Sequence, residues 1–320
     1  MTSHSRNICF SLFISLSIVF SICSQESNTQ QKAVLVTGAS SGIGLKITEQ
    51  LSANGYFVYA GARKQADLDR LNAMDNVQSI KLDVTKWDEI NAAVETVKNG
   101  GRGLYGLVNN AGVAIFASLI EVEEEDLDFI FDVNIYGPYR ITKAFAPLII
   151  ESKGRITTIS SISGILSGRF FGPYSMSKHA MEAYTDALAT EMQKFDVQVS
   201  AIEPGNYNSK IVESLVKRMD ANDISFENSL YKAEFERLIS GYGADRSRFK
   251  DPSEVADAVE KALFSDHPKR RYMVVPSERE GHVTITQIMR EMVQLNENQA
   301  YKYDREQLIK ILDKVLAETE

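Results

Sequence analysis

The amino-acid sequence predicts an α/β fold, a single domain in which a doubly wound parallel sheet lies between two layers of helices. Short apolar, β-branched segments alternate with longer segments of helical spacing, and this alternation is typical of βαβ units. The first strand-like segment is apolar throughout, as strands buried on both faces are. With 320 residues, 44% of them hydrophobic, the chain is long enough to bury a full core.

The predicted elements follow one another in a regular order from residue 32 onward. The first strand, 33–38, leads into a helix over 44–55 that ends at Asn54-Gly55, a pair typical of helix C-termini. The further predicted strands are 56–61, 77–84, 106–112, 154–161, 197–205 and 271–276. The further predicted helices are 65–74, 87–100, 126–150, 174–195 and 251–264. Together they predict a three-layer, Rossmann-type domain over 32–320.

The N-terminal segment, residues 1–31, is predicted to lie outside this domain. Residues 8–23 carry no charge, and their length lies between that of a secretion signal and that of a membrane-spanning helix. We predict a signal anchor or uncleaved signal followed by a polar linker. The alternatives are a cleaved signal peptide, lipidation at Cys23 and a buried helix. The protein would then be membrane-associated or exported, on a side of the membrane that the charges near Arg6 do not determine.

Two further segments have predicted roles within the domain. Residues 205–250 contain charged, partly helical stretches that would cover the substrate end of the cleft as a lid. Residues 300–320 predict an amphipathic C-terminal helix, and we expect its apolar stripe to pack on the body. The stripe consists of Leu308, Ile311, Leu312 and Val315.

Charge and cysteine content argue against several classes of function. The formal net charge of -8 and the isoelectric point near 5.3 disfavour nucleic-acid binding, which requires a surplus of cations. Both cysteines, Cys9 and Cys23, lie in the N-terminal segment, and the four histidines are scattered without metal-binding spacing. We therefore expect no nucleic-acid partner and no metal site.

The motif TGASSGIG, residues 37–44, follows the first strand. Its glycines allow a tight turn and a close backbone approach to a pyrophosphate, and the next helix begins with amides and a dipole that favour negative charge. The same glycines would also suit a strand-helix turn without a ligand, but their place in a βαβ unit favours dinucleotide binding. The predicted contact residues are Gly38, Ala39, Ser40, Ser41, Gly42, Ile43 and Gly44.

The ends of the next strands indicate which dinucleotide binds. Gly61 occupies the place where NAD-selective proteins have an acidic residue, while Arg63 and Lys64 follow it. Two cations suit a 2'-phosphate, so we predict NADP rather than NAD; the alternative is a solvated loop. Asp83 would accept from the adenine amino group or cap a helix, with Val84 against the ring. Further along, NNAG at 109–112 places Asn110 beside the cofactor.

Seven motifs taken together resemble the short-chain dehydrogenase/reductase family. They are TGASSGIG, LDV, NNAG, FDVN, ISSISG, YSMSK and EPG, in this order. The resemblance is strong over 33–210 and weaker over 250–276, and it is nearest to the hydroxysteroid, retinol and 3-hydroxybutyrate dehydrogenases. It implies an oxidoreductase that uses a nicotinamide cofactor and forms a homodimer or homotetramer.

The motif YSMSK supplies the predicted catalytic pair. Tyr174 and Lys178 are one helical turn apart and share a helix face, where a cation favours the ionised phenol. The resemblance implies that Tyr174 transfers a proton to or from the substrate oxygen, and that Lys178 lowers the tyrosine pKa and holds the nicotinamide ribose. It also implies that Ser161 binds the substrate oxygen and that Asn134 holds a water linked to the lysine.

The segment after the sixth strand departs from the family pattern. Pro204 and Gly205 turn the chain, and Tyr207 and Ser209 then stand where a small apolar residue and a threonine are usual. The resemblance implies contacts with the nicotinamide carboxamide, and Ser209 can replace the threonine hydroxyl. Tyr207 is bulkier than the pattern, so only its backbone contacts follow directly.

The substrate is the least specified part of the prediction. Phe116, Phe170 and Phe171 flank the site in sequence and favour a hydrophobic alcohol or ketone, such as a steroid, retinoid or other lipid. The same aromatics would also serve as core or interface residues. Two alternatives are an NAD-linked dehydrogenase of small hydroxy acids and an NADP-binding sensor or scaffold without turnover.

Overall fold

Seven parallel strands form one sheet in the computed structural model, which describes residue 1 and residues 31–222, 224–242 and 247–318. The strands are β1 Ala33–Val36, β2 Phe57–Ala62, β3 Val77–Lys81, β4 Gly106–Asn109, β5 Arg155–Ile159, β6 Gln198–Pro204 and β7 Arg271–Val274. Their order is β3-β2-β1-β4-β5-β6-β7, and every neighbouring pair is parallel. The winding reverses between β1 and β4, so a ligand crevice is expected at the carboxyl ends of these strands.

Helices cover both faces of the sheet. They are α1 Gly42–Ala53, α2 Gln65–Asn72, α3 Trp87–Asn99, α4 Glu124–Phe131, α5 Gly137–Glu151, α6 Gly172–Met192, α7 Ile211–Ala221, α8 Lys232–Tyr242, α9 Ser253–Phe264, α10 Glu278–Glu297 and α11 Arg305–Ala317. One apolar cluster joins α3, α5 and α6 to the sheet, with Phe145 and Met192 among its members. A second joins α1, α2 and α9 to the other face, with Leu51 and Val259 among its members. The predicted three-layer, doubly wound fold is confirmed.

The predicted signal or anchor segment falls almost entirely within residues 2–30, outside the described residues. Residues 31–320 group into one compact unit. Within the described part of the chain, no helix combines the length and apolarity that a membrane span requires. The N-terminal segment therefore stays a prediction.

A π-helical segment, Asp132–Tyr136, interrupts the helix that the sequence predicts over 126–150. Pro138 lies four residues after Asn134 and has no amide hydrogen, so an α-helical register gives the Asn134 carbonyl no backbone donor. Such π segments are frequent at functional sites. Here the wider turn contains Asn134, one of the predicted site residues.

The C-terminal region differs most from the sequence prediction. α11 lies within the predicted amphipathic helix, but none of its residues is buried and Leu312 is 47% exposed. The expectation that its apolar stripe packs on the body is wrong. No helix was predicted over α10, although Ser277 and Glu280 form the S-x-x-E pattern of a helix start, and the Ser277 side chain does accept from the Glu280 amide.

Candidate active site

Three of the predicted catalytic side chains meet where β5 ends and α6 begins. Tyr174 lies in the first turn of α6, and the Lys178 ammonium nitrogen is 5.6 Å from the centre of its ring. Ser161 follows β5, and its side chain interacts with the Tyr174 phenol. The Ser161 oxygen also accepts from the Ser163 amide at 3.0 Å, which fixes its direction.

Lys178 is held by the end of the sheet. Its side chain is buried, and Nζ donates to the Ile159 carbonyl at 2.9 Å. The hydrogen bond to the strand end thus holds the Lys178 ammonium beside the phenol.

Burial moves the pKa values of the catalytic pair in opposite directions. It raises the pKa of Tyr174 to about 12, although the hydrogen bond with Ser161 acts the other way. Burial lowers the pKa of Lys178 to about 8, and the Glu182 carboxylate opposes this effect. At neutral pH the phenol therefore keeps its proton, and the lysine is mostly charged. Desolvation is the largest influence on the tyrosine pKa in this structure, and the lowering by Lys178 that the resemblance implied stays a prediction.

Asn134 connects the π-helical segment to the catalytic helix. Its amide nitrogen donates to the Val113 carbonyl at 2.9 Å and to the Ser177 hydroxyl at 2.9 Å, while its oxygen accepts from the Val113 amide at 2.8 Å. Both amide hydrogens thus have protein partners. A methyl group at Gly112 would lie 3.4 Å from Asn134 Oδ1 and 3.9 Å from Lys178 Nζ, so the NNAG turn faces both residues.

The glycine-rich turn between β1 and α1 requires its glycines. Gly38 and Gly42 have φ of +64° and +55°, in the left-handed region that favours glycine. A methyl group at Gly44 would lie 2.4 Å from the Gly38 carbonyl oxygen, closer than any side chain tolerates. The remaining residues are Ala39, which is buried, and Ser40, Ser41 and Ile43, which are half-buried.

Asn110 fastens this turn to the neighbouring strand. Its side-chain nitrogen donates to the Thr37 carbonyl at 2.9 Å and the Gly38 carbonyl at 3.1 Å. The Thr37 hydroxyl in turn accepts from the Asn110 and Ala111 amides. Asn110 therefore shapes the backbone cradle at the switch point of the sheet, and its contact with the cofactor stays a prediction.

The second and third strands place the predicted adenosine-end residues together. Gly61 is buried within β2, and a methyl group there would lie 3.0 Å from Leu82 and 3.2 Å from the Val36 carbonyl oxygen. Arg63 is exposed, and its charge contributes to lowering the pKa of Asp83, so the two side chains are near each other.

Asp83 and Val84 also have structural partners. Asp83 accepts from the Thr85 amide at 3.0 Å and the Thr85 hydroxyl at 2.8 Å, so one carboxylate oxygen closes the turn and caps no helix. Val84 is buried, and a methyl group at Gly137 would lie 2.7 Å from it. Both residues thus hold this strand end in shape.

The segment after β6 lies against the glycine-rich turn. A methyl group at Gly42 would lie 3.4 Å from Ser209. Pro204 ends β6, and its carbonyl lies 3.4 Å from the Ser161 hydroxyl. Tyr207 is 2% exposed and donates to Glu254 of α9 at 2.6 Å, so its ring lies in the core and only its backbone can face the cleft.

The aromatic residues that flank the site divide into two groups. Phe171 packs on Phe116, with ring centres 4.2 Å apart. Phe170 has a φ of +66°, unusual for an aromatic residue, and its ring packs 4.3 Å from Phe235 of the predicted lid. Phe235 also stacks on Phe226 at 4.0 Å. Phe170 therefore packs on α8, in the segment predicted to act as a lid.

Sequence reasoning missed three sets of residues around the site. Arg70 of α2 donates to the Ser40 carbonyl at 2.5 Å and so supports the glycine turn. Glu280 of α10 accepts from the Asn206 amide at 2.9 Å in the loop after β6. The third set is a buried cluster of charged side chains behind α6. These residues lie far apart in sequence and form no motif, so only the tertiary structure identifies them.

This arrangement defines a class of protein. A glycine-rich turn at the switch point of a parallel sheet, facing a tyrosine, a lysine and a serine, is the site of a nicotinamide-dependent oxidoreductase. The profile of a family described as "short chain dehydrogenase" matches residues 32–220. The chain belongs to the short-chain dehydrogenase/reductase family, whose fold binds a nicotinamide cofactor.

Individual relatives agree with this assignment. The chain is 32% identical to mitochondrial D-beta-hydroxybutyrate dehydrogenase of Mus musculus, covering 78% of each chain. It is 35% identical to retinol dehydrogenase 7 of Mus musculus, covering 77% of this chain and 81% of the relative. The crystal structure of a short-chain dehydrogenase from Streptomyces avermitilis matches with a TM-score of 0.70 and 28% identity, covering 84% of this chain and 96% of that one. The predicted branch of the family is confirmed.

Proposed function

We propose that this protein transfers a hydride between NADP(H) and a hydrophobic secondary alcohol or ketone, with Tyr174 as general acid and base. One observation carries the proposal: Tyr174, Ser161 and Lys178 converge, and Lys178 faces the NNAG turn, which packs against the glycine-rich turn. A sensor would need the turn but would have no use for a buried proton-transfer set. The bound nicotinamide would accept or supply the hydride.

The chain's own residues account for the proton. In carbonyl reduction, the Tyr174 phenol donates its proton to the substrate oxygen, and burial keeps that phenol protonated at neutral pH. The Ser161 hydroxyl lies within reach of the same oxygen and stabilises its developing charge. The nearby Lys178 ammonium stabilises the phenolate that remains.

Asn134 is proposed as a positioning residue in this scheme. Because its side chain binds Val113 and Ser177, a water that serves Lys178 would be held by the main chain of the π-helical segment. The carbonyl of Asn134 is suited to that role, since Pro138 cannot donate to it.

The choice of NADP follows from the adenosine end of the site. A side chain at position 61 would meet Leu82 at 3.0 Å and the Val36 carbonyl oxygen at 3.2 Å, so an acidic residue for the NAD-type contact with the ribose would fit tightly there. Arg63 lies exposed at the end of β2, and Arg70 holds the Ser40 carbonyl nearby. The guanidinium groups of Arg63 and Arg70, together with the Ser40 hydroxyl, suit a 2'-phosphate.

The surroundings of the lid favour an uncharged substrate. Arg169 and Arg218 are paired with Glu234 and Asp126, and each also lies over an aromatic ring. A hydroxy acid needs a cation for its carboxylate, and these two are already neutralised. A small hydroxy acid is the second candidate, because one relative is named for hydroxybutyrate.

Turnover measurements test the proposal directly. Steroid, retinoid and 3-hydroxybutyrate substrates are compared by NADPH and NADH absorbance, and we expect turnover of a hydrophobic substrate with NADPH. Tyr174→Phe should lose about 10²- to 10⁴-fold in kcat while keeping NADPH affinity. Unchanged kcat in this variant would contradict the mechanism. Turnover of 3-hydroxybutyrate alone would reject the substrate class.

A specificity variant tests the cofactor separately. Arg63→Ala should reduce the preference for NADPH over NADH by about tenfold or more, because one charged contact to a phosphate is lost. Lys98→Ala, at the exposed end of α3, where Lys98 pairs with Glu95, is the control. Equal effects of the two substitutions would show that Arg63 contributes only general charge.

We also propose membrane association through residues 8–23 and assembly as a homodimer or homotetramer. The length and apolarity of that segment support the first, and family resemblance supports the second. Fractionation with protease protection tests the attachment and its side of the membrane. Light scattering of the purified protein tests the assembly, and a monomer would reject it.

A further inference from the structure

A cluster of buried charged side chains lies behind the catalytic helix. Glu182, one turn after Lys178 on α6, is 8% exposed, and Glu203 of β6 is 3% exposed. Arg271 of β7 contacts both carboxylates and lies 2.9 Å from Glu203 Oε1. Asp186 contacts the same guanidinium from a more exposed position. Three carboxylates therefore converge on one cation.

Glu182 extends from this cluster toward the loop that carries Ser161. A methyl group at Gly164 would lie 2.8 Å from Glu182 Cγ and 3.1 Å from the Ser160 hydroxyl. Among the residues that the structure describes, Glu182 Oε1 and the Ser160 hydroxyl are buried atoms without a hydrogen-bond partner. The carboxylate therefore faces the catalytic loop and helix with one oxygen that Arg271 does not use.

The charges of the cluster do not balance by themselves. Burial and the neighbouring Glu182 carboxylate together raise the pKa of Glu203 to about 7, although Arg271 acts the other way, so Glu203 holds a proton in mildly acidic solution. Arg271 also contacts Glu182 and Asp186, so a single guanidinium is shared by three carboxyl groups. On the side of the active site, Lys178 lies one helical turn before Glu182, and the two buried side chains interact electrostatically.

We propose that Glu182 is a positioning residue whose carboxylate, held by Arg271 and Glu203, keeps the buried Lys178 ammonium charged beside Tyr174. The charged and titratable groups facing Glu182 are Lys178 and Asp186 from α6, Glu203 from β6 and Arg271 from β7. The inference rests on the proposed function, in which the charged lysine stabilises the tyrosine phenolate. It attributes the charged state of Lys178 to Glu182, which lies outside the catalytic motifs.

The test compares Glu182→Gln with Asp186→Asn. Glutamine has the shape of glutamate and can still bind Arg271, but it removes the charge near Lys178. Asparagine at 186 removes a carboxylate from the same guanidinium, one turn further from the lysine. We expect Glu182→Gln to lower the pKa of Lys178 by about one unit, and Asp186→Asn to leave it within a few tenths of a unit.

Two measurements report this shift. Nuclear magnetic resonance of isotope-labelled lysine follows the Lys178 titration directly, with the signal assigned by its loss in Lys178→Arg. The pH profile of kcat/KM for NADPH-dependent turnover should move its alkaline limb to lower pH by the same amount. Glu182→Asp keeps the charge, so its Lys178 pKa should lie between those of the wild type and Glu182→Gln, and it carries the test if glutamine prevents folding.

The outcomes separate this inference from the proposed function. An unchanged Lys178 titration in Glu182→Gln, or an equal shift in Asp186→Asn, overturns the role of Glu182 even if the enzyme turns over as proposed. If no substrate is turned over with either cofactor, or if Tyr174→Phe stays active, the proposed function fails. The Lys178 titration does not depend on turnover, so it still shows whether Glu182 raises the pKa of Lys178.

Discussion

The sheet region and the C-terminal helices depart from the usual distribution of residues in opposite directions. Behind α6, charged side chains are buried, and Glu182, Glu203 and Arg271 contact one another there. In α10 and α11, apolar side chains are exposed, and Leu295 and Leu316 have 78% and 54% of their surface accessible. The buried charges lie beside Lys178, and in the proposed function they keep its ammonium charged. The exposed apolar stripe shows that an amphipathic pattern predicts a helix but does not predict what the helix packs against.

The largest effect is expected from a glutamine in the core of the sheet region. The same substitution in α11 is its counterpart. Leu263 of α9 is fully buried between the helix and the sheet. Leu263→Gln should destabilise the protein by about 3 kcal/mol or more, because it removes apolar burial and leaves an amide without partners. Urea unfolding measures the change. A loss below about 1 kcal/mol would mean that the sheet region is more adaptable than its packing indicates.

A smaller but more local effect is expected at the glycine turn. In Gly44→Ala, the new methyl group would lie 2.3 Å from Asn110 Nδ2 and 2.4 Å from a backbone oxygen. We expect a loss of about 2 kcal/mol in stability and weaker NADPH binding, measured by unfolding and by titration of cofactor fluorescence. Gly168→Ala is the matched control, since its methyl group meets only Phe171 at 3.6 Å. Equal affinities in the two variants would refute a cradle at Gly44.

The buried charges predict a pH dependence of stability. The pKa of Glu203 is raised to about 7, so between its ordinary value of 4.5 and 7 the folded protein holds a proton that the unfolded chain has released. Stability should therefore fall as pH rises through this window, by on the order of 1–3 kcal/mol. Glu203→Gln should remove this slope, whereas Glu297→Gln at the exposed end of α10 should keep it. A slope that survives in Glu203→Gln would assign it to another group.

The smallest effect is expected in α11. Leu312→Gln exchanges residues of similar helix propensity at a position that is 47% exposed, so stability should change by less than about 0.5 kcal/mol. The same unfolding assay as for Leu263→Gln measures it. A loss comparable to that of Leu263→Gln would show that the stripe is covered in solution and would end the contrast between the two regions.

Much of the candidate site was predictable because its residues belong to short local motifs. The glycine turn, Ser161, Tyr174 and Lys178 all lie at strand ends or helix starts, and in a parallel sheet those points meet at one edge. The π-helical segment was not predicted, because the 126–150 stretch has helical spacing throughout and one proline decides its register. The direction of Tyr207 was not predictable either, since its partner Glu254 is 47 residues away.

The sequence by itself determined the fold class, because the alternation of strand and helix patterns is local. It also carried the motifs whose resemblance to the family implied the catalytic residues. Tertiary structure alone decided which side chains support that motif. Arg70, Glu280 and the Glu182–Arg271–Glu203 cluster act across separate elements. It also decided that α11 stays exposed. The physical reason is common to all of them: contacts between distant segments depend on how helices and strands pack, and no local pattern encodes that packing.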